Sequence, residues 1–74
     1  MPDERVQVEV GFDGGQIMIA RVSPHSADDL DRAVESGEGV VALDAEDGRY
    51  TVPVRRIVYV KRFARESRVG FGAG

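Results

Sequence analysis

From Val6 to Phe12 the chain reads V-Q-V-E-V-G-F. Val6, Val8, Val10 and Phe12 fall on one side, Gln7 and Glu9 on the other. Side chains of a strand point alternately to its two faces, so this spacing predicts a half-buried β-strand. Asp13 to Gly15 (D-G-G) supplies the turn, since glycines there take the positive φ angles of a tight hairpin. The next run, Q-I-M-I-A-R-V, puts Ile17 and Ile19 on one face and Met18, Ala20 and Val22 on the other. With both faces apolar, it predicts a central strand or one covered on both sides.

The period then changes. In S-P-H-S-A-D-D-L-D-R-A-V-E-S-G, Ala27, Leu30, Ala33 and Val34 recur at helical spacing and give one narrow apolar face. Ser26 is the expected N-cap, with Asp28 and Asp29 in the first turn facing the positive end of the helix dipole. Gly37 suits the left-handed position that ends the helix after about three turns. Asp28, Asp31 and Glu35 make its outer face acidic. Strands return with Val40 to Leu43, an apolar run, then a hairpin connection over D-A-E-D-G (Asp44 to Gly48), and Tyr50, Val52 and Val54 set against Arg49, Thr51 and Pro53. Pro53 has no N–H to give to a ladder, so its strand is an edge, or the amide side at that position faces out. Arg55 and Arg56 mark a short turn. Ile57 to Phe63 forms the last strand, with Ile57, Tyr59, Lys61 and Phe63 on one face and Tyr59 and Phe63 assigned to the core.

The expected fold is therefore α+β: five mainly antiparallel strands and one short helix in the order β-β-α-β-β-β. Such a set can form an open sheet with the helix packed on it or a partly closed barrel. The open form is preferred, because the helix lies between the second and third strands and needs a face to cover. Residues 1–63 make a single domain, and residues 64–74 a basic, glycine-rich tail. The tail's glycines and its position predict mobility. Its Val69 and Phe71, two apart, also suit a short strand added to a neighbouring molecule.

Composition changes this picture in two ways. With 74 residues and no cysteine, the core is small and has no disulfide or thiolate metal site to reinforce it, leaving tight packing or self-association. No apolar run reaches the roughly 20 residues that cross a bilayer. The charged start M-P-D-E-R-V is unlike a signal peptide, so a cytoplasmic location is expected.

The second change is in charge. The formal net charge of −3 hides a division: residues 1–48 hold twelve acids and three bases, residues 49–74 seven bases and one acid. A split of this kind reflects neutralisation inside the fold, contact between copies, or a site for a polyanion.

Catalytic chemistry finds little support. His25 is the single histidine and lacks a specified partner, so an exposed loop position is expected. The serines have no nucleophile-elbow context. D-A-E-D-G lacks the calcium-loop pattern, and a turn rich in Asp and Gly needs no metal. G-F-D-G-G-Q precedes a strand and not a helix, which fails the dinucleotide motif. No catalytic residue, metal site or cofactor is assigned.

The order alternating valine strand, hairpin, helix with S-x-x-x-L-x-x-A-V, and G-V-V-A-L-D-A-E-D-G-R-Y-T-V-P-V-R-R-I-V-Y-V resembles a family of small actinobacterial proteins built on a domain of unknown function. The matching positions are Gly48, Arg49, Val52, Pro53, Ile57, Tyr59 and Val60, within a likeness spanning residues 6 to 60. Some members carry an ATP-binding label, so the resemblance implies nucleotide binding as one expectation; the chain itself shows no phosphate loop. Family members stop near Val60, whereas here K-R-F-A-R-E-S-R-V-G-F-G-A-G follows as a candidate functional addition. A weaker likeness to Sm-like small barrels lies in the V-x-Y-V strand.

Two uses of the charged segments follow. In the first, a non-enzymatic interaction or regulatory module self-associates. Asp28, Asp31 and Glu35 of one copy meet Arg62, Arg65 and Arg68 of the next, with Val69 and Phe71 as apolar anchors. In the second, Arg55, Arg56, Lys61, Arg62 and Arg65, interleaved with aromatics, grip single-stranded RNA or DNA. A pI near 5.0 is low for a dedicated nucleic-acid domain, which places self-association first.

Overall fold

The computed structural model describes residues 4–63. The elements are β1 (Val6–Phe12), β2 (Ile17–Val22), α1 (Pro24–Ser36), β3 (Val40–Ala45), β4 (Gly48–Pro53), a 3-10 turn (Val54–Arg56) and β5 (Ile57–Arg62). They form one five-stranded antiparallel sheet in the spatial order β4-β3-β2-β1-β5. This is the expected β-β-α-β-β-β fold, with the sheet open.

Consecutive strands β4 and β5 lie at opposite edges. Laid flat, five strands would separate those edges by roughly 19 Å, four spacings of about 4.8 Å. The 3-10 turn that joins them advances only about 2 Å per residue, so the sheet must curl. Its pairing is sparsest between β2 and β3, which pair at Val22↔Ala45 alone. The turn between β4 and β5 is held at both ends: Val54 N donates to Gly39 O and Asp13 N to Arg56 O, each at 2.9 Å.

Inside the curl lies the core: Val8 and Val10 of β1, Ala20 and Val22 of β2, Ala27 and Leu30 of α1, Val41, Leu43 and Ala45 of β3, Val52 of β4, and Val54. It is built of valine and alanine around two fully buried leucines, Leu30 and Leu43. The alternation of β1 is therefore borne out residue by residue, and Pro53 does close an edge strand.

Helix α1 starts earlier than its sequence suggests. Ser23, not Ser26, is the N-cap, and Pro24 follows it. A proline suits the first helical position, where its fixed φ is helical and its missing N–H would have no partner. Ser23 Oγ accepts the Ser26 N–H at 3.1 Å. Ser26 is buried instead, and its Oγ accepts the backbone N–H of Asp44 at 2.9 Å, stitching α1 to β3. Shifted by a turn, Asp28 and Asp29 fall beyond the first turn, and His25 sits within the helix rather than in a loop, with its side chain exposed. Gly37 ends the helix at φ 78°, its N–H on Ala33 O. The apolar face is narrower than expected: Ala27 and Leu30 are buried, while Val34 is exposed.

Strand β5 departs most from simple alternation. Phe12 pairs with Ile57 and Gly11 with Tyr59, so Val58 is an extra residue, a β-bulge. A bulge shifts side-chain parity by one. Ile57 and Val60 pack against the core, while Tyr59 turns to the outer face and is exposed. Tyr59 thus leaves the core to which the sequence assigned it.

Candidate interaction surface

No element among the described residues covers the outer face of β2, β1 and β5. Cross-strand register places its side chains in three rows: Ile17–Gly11–Tyr59, then Ile19–Glu9–Lys61, then Arg21–Gln7. Phe63, whose N–H donates to Gln7 O at 3.0 Å, extends the third row. Ile17 and Ile19 are 58% and 57% exposed on the central strand of the sheet. The two apolar faces of β2 therefore mark a central strand, as expected, but only one of them is covered by the described residues.

At the middle of this face a tyrosine lies on a glycine. A Cβ built on Gly11 would stand 2.0 Å from Tyr59 Cε2, so only glycine lets the ring lie flat across β1. The ring is held there by its hydroxyl, which donates to Glu9 Oε2 at 2.5 Å. That bond to a carboxylate keeps the phenol pKa above its ordinary 10.0, with desolvation adding to it. Beside it, Lys61 Nζ stands 4.5 Å from the centre of the Phe63 ring, within the range of a cation–π contact. The sequence does signal this seat: Gly11 is the one outward position of β1 without a side chain.

At the end of the face a groove of about 370 Å³ runs beside the β3–β4 turn, lined by Gln7, Ile19, Ala20, Arg21, Glu46, Asp47 and Tyr50. It exists because β2 and β3 diverge away from Val22↔Ala45. Arg21 Nε lies 3.4 Å from Glu46 Oε2, and Tyr50 Oη donates to Asp47 Oδ2 at 2.8 Å. This carboxylate raises the Tyr50 pKa as Glu9 raises that of Tyr59. Periodicity gives no hint of such a groove, because it arises from a missing stretch of pairing.

The charged residues singled out from sequence are scattered by the fold. Arg62, on the inner side of β5, reaches α1 of its own chain, with Nη1 3.1 Å from Asp28 Oδ1 and 3.2 Å from Asp31 Oδ2. The pairing expected across two copies is thus made within one. The register Val8↔Arg62 puts this side chain on the inner side, where the helix lies. Glu35 is exposed further along the same helix, and no ion pair joins it to another described residue. Arg56 is tied to Asp13, Nε to Oδ1 at 3.0 Å; Arg55 is exposed, without an ion pair among the described residues. Arg65, Arg68, Val69 and Phe71 lie outside the described residues.

Among the described residues, no three His, Asp or Glu side chains converge as metal ligands, and no helix is long and apolar enough to cross a membrane. No family model, curated protein or solved structure matches this chain.

Proposed function

We propose that this protein is a non-enzymatic interaction module that self-associates through the outer face of β2, β1 and β5. The observation that carries this reading is the exposure of Ile17 and Ile19 side by side on a central strand. An antiparallel sheet commonly leaves one face to water, but that face is then polar. Here its middle is two isoleucines and a tyrosine ring, and contiguous apolar surface of this kind marks a docking site. A second copy fits it, because the face carries Glu9 and Lys61 as direct cross-strand partners. Two such faces packed about a two-fold axis can bring the acid of each toward the base of the other while the isoleucines meet. Analytical ultracentrifugation tests this reading. A concentration-dependent dimer is expected, and Ile19→Asp should shift it to monomer; a monomer at every concentration overturns it.

A second reading rests on a separate observation: Tyr59, Lys61 and Phe63 alternate along β5 on the same outer face. Aromatic rings next to a cation are what a sheet-based single-strand binder stacks bases on. Against it, residues 4–63 hold eight bases and eleven acids, a net −3, and Arg56 and Arg62 are engaged within the chain. Binding of single-stranded RNA that weakens steeply with salt would favour this reading over the first. ATP binding stands on the family resemblance alone, and a thermal-shift titration with ATP tests it.

A further inference from the structure

We propose that the groove beside the β3–β4 turn is the seat of this chain's own C-terminal segment, residues 64–74, folded back across the outer face. Three observations lead there. The first is where the described chain ends. Phe63 N donates to Gln7 O, Gln7 pairs with Arg21, and Glu46 N donates to Arg21 O at 3.0 Å. Phe63, Gln7, Arg21 and Glu46 therefore form one row across the sheet, and Gln7, Arg21 and Glu46 line the groove. At about 4.8 Å per strand the row is roughly 14 Å long. Five residues, Ala64 to Arg68, span up to roughly 17 Å when extended. Val69 and Phe71 then arrive at the groove, and no longer linker is needed.

The second observation is chemical fit. The groove offers Ile19 as an apolar floor, the Tyr50 ring as a wall, and Asp47 as a carboxylate beyond the Arg21–Glu46 pair. The segment R-E-S-R-V-G-F brings two arginines against one glutamate, then two apolar side chains with a glycine between them. The third is backbone. β2 and β3 share one bridging pair, and beyond it Arg21 O accepts the Glu46 N–H. From Ile19 toward Ile17, β2 has register partners on β1 alone, so that edge can receive an added strand. A short tether also gives the segment a high local concentration at this site, which favours its own groove over that of another molecule. Ile19 is common to the groove and to the self-association face. A seated tail would then shield Ile19 and oppose dimer formation, a consequence that rests on the reading above, whereas the seating itself does not.

The chain has no cysteine, so Ala73→Cys gives one clean site for a nitroxide spin label. In ¹⁵N-labelled, spin-labelled protein diluted into an excess of unlabelled, unmodified protein, only intramolecular broadening is read. The amides of Ile19, Arg21, Glu46 and Asp47 are expected to lose intensity, and Arg68→Glu with Phe71→Ser in the tail, which leaves the core untouched, should restore it. Uniform intensity, broadening elsewhere, or loss that survives the tail variant overturns the proposal. Broadening seen only in the converse mixture, with the label on the unlabelled partner, also overturns it and leaves self-association standing. Ultracentrifugation of the same samples reads the dimer separately, so either idea can fail alone.

Discussion

Gly11 shows how one residue shapes a surface. Its φ is unremarkable, so conformational freedom is not the reason for a glycine there; the reason is the Tyr59 ring that occupies the place of a Cβ. Gly11→Ala must push that ring off β1 and break its bond to Glu9. The ring is exposed and can swing away, so the loss should be modest and should disappear in a Tyr59→Ala background. A double-mutant cycle by urea denaturation reads this coupling directly; additive effects would mean that the ring does not sit on the glycine. Both tyrosines with carboxylate acceptors also make a pH prediction. Their folded pKa values lie above 10.0, through Asp47 for Tyr50 and Glu9 for Tyr59. A raised folded pKa means that the unfolded chain loses the proton first. The stabilisation is complete below pH 10.0 and is lost as pH rises through the folded values. Tyrosinate absorbance should titrate above the ordinary phenol range in the folded protein, and Tyr59→Phe should flatten the fall in stability on the alkaline side.

At the scale of elements, the helix depends on a few side chains. Leu30 is fully buried in the core cluster that also holds Val8, Val22 and Leu43. Leu30→Ala should cost about 2–5 kcal/mol through lost burial and the cavity left behind. A domain of this size has roughly 3–9 kcal/mol in all at 0.05–0.15 per residue, so the variant should lose about half of its stability, read as a marked fall in the urea midpoint. An unchanged midpoint would mean that Leu30 is not a core residue. Ser23→Ala removes a cap and should cost about 1 kcal/mol, whereas Ser26→Ala orphans the Asp44 N–H and should loosen β3. Faster hydrogen exchange at Asp44 in Ser26→Ala alone checks that division of labour. Although its side chains alternate between core and water, β3 was legible only as a short apolar run, V-V-A-L, whereas β1 was legible from its alternation and the helix from its spacing. The cap and the bulge were not. Two serines three apart are equally good caps until Pro24 is weighed as a first helical residue, and Val58 has nothing in its own chemistry to say that Gly11 and Phe12 will pair around it.

At the scale of the whole molecule, folding the chain back on itself neutralises part of the charge split among the described residues. Asp28 and Asp31 from the acidic part receive Arg62 from the basic part, and Asp13 receives Arg56. Sequence separation made these charges look unpaired, because linear counting cannot see that β5 runs beside β1 and under α1. The candidate face was half legible for the same reason: Ile17 and Ile19 stood out as a second apolar row, but which element would cover them is a question of topology. Surface ion pairs such as Arg62 with Asp28 and Asp31 contribute about 0–1 kcal/mol, so they organise the helix more than they hold it. Salt then separates the two modes of self-association. A contact between acidic helix and basic strand weakens as the screening length falls from about 10 Å at 0.1 M to about 3 Å at 1 M. Burial of Ile17, Ile19 and Tyr59 does not, and sulfate strengthens it. Sedimentation velocity over that range should show a dimer that persists at 1 M salt and survives Asp28→Asn with Asp31→Asn, yet is lost in Ile19→Asp. A dimer that dissolves with salt and tolerates Ile19→Asp would move the interface to the helix, where the bases of a second copy would pair with Glu35 and would have to compete with Arg62 for Asp28 and Asp31.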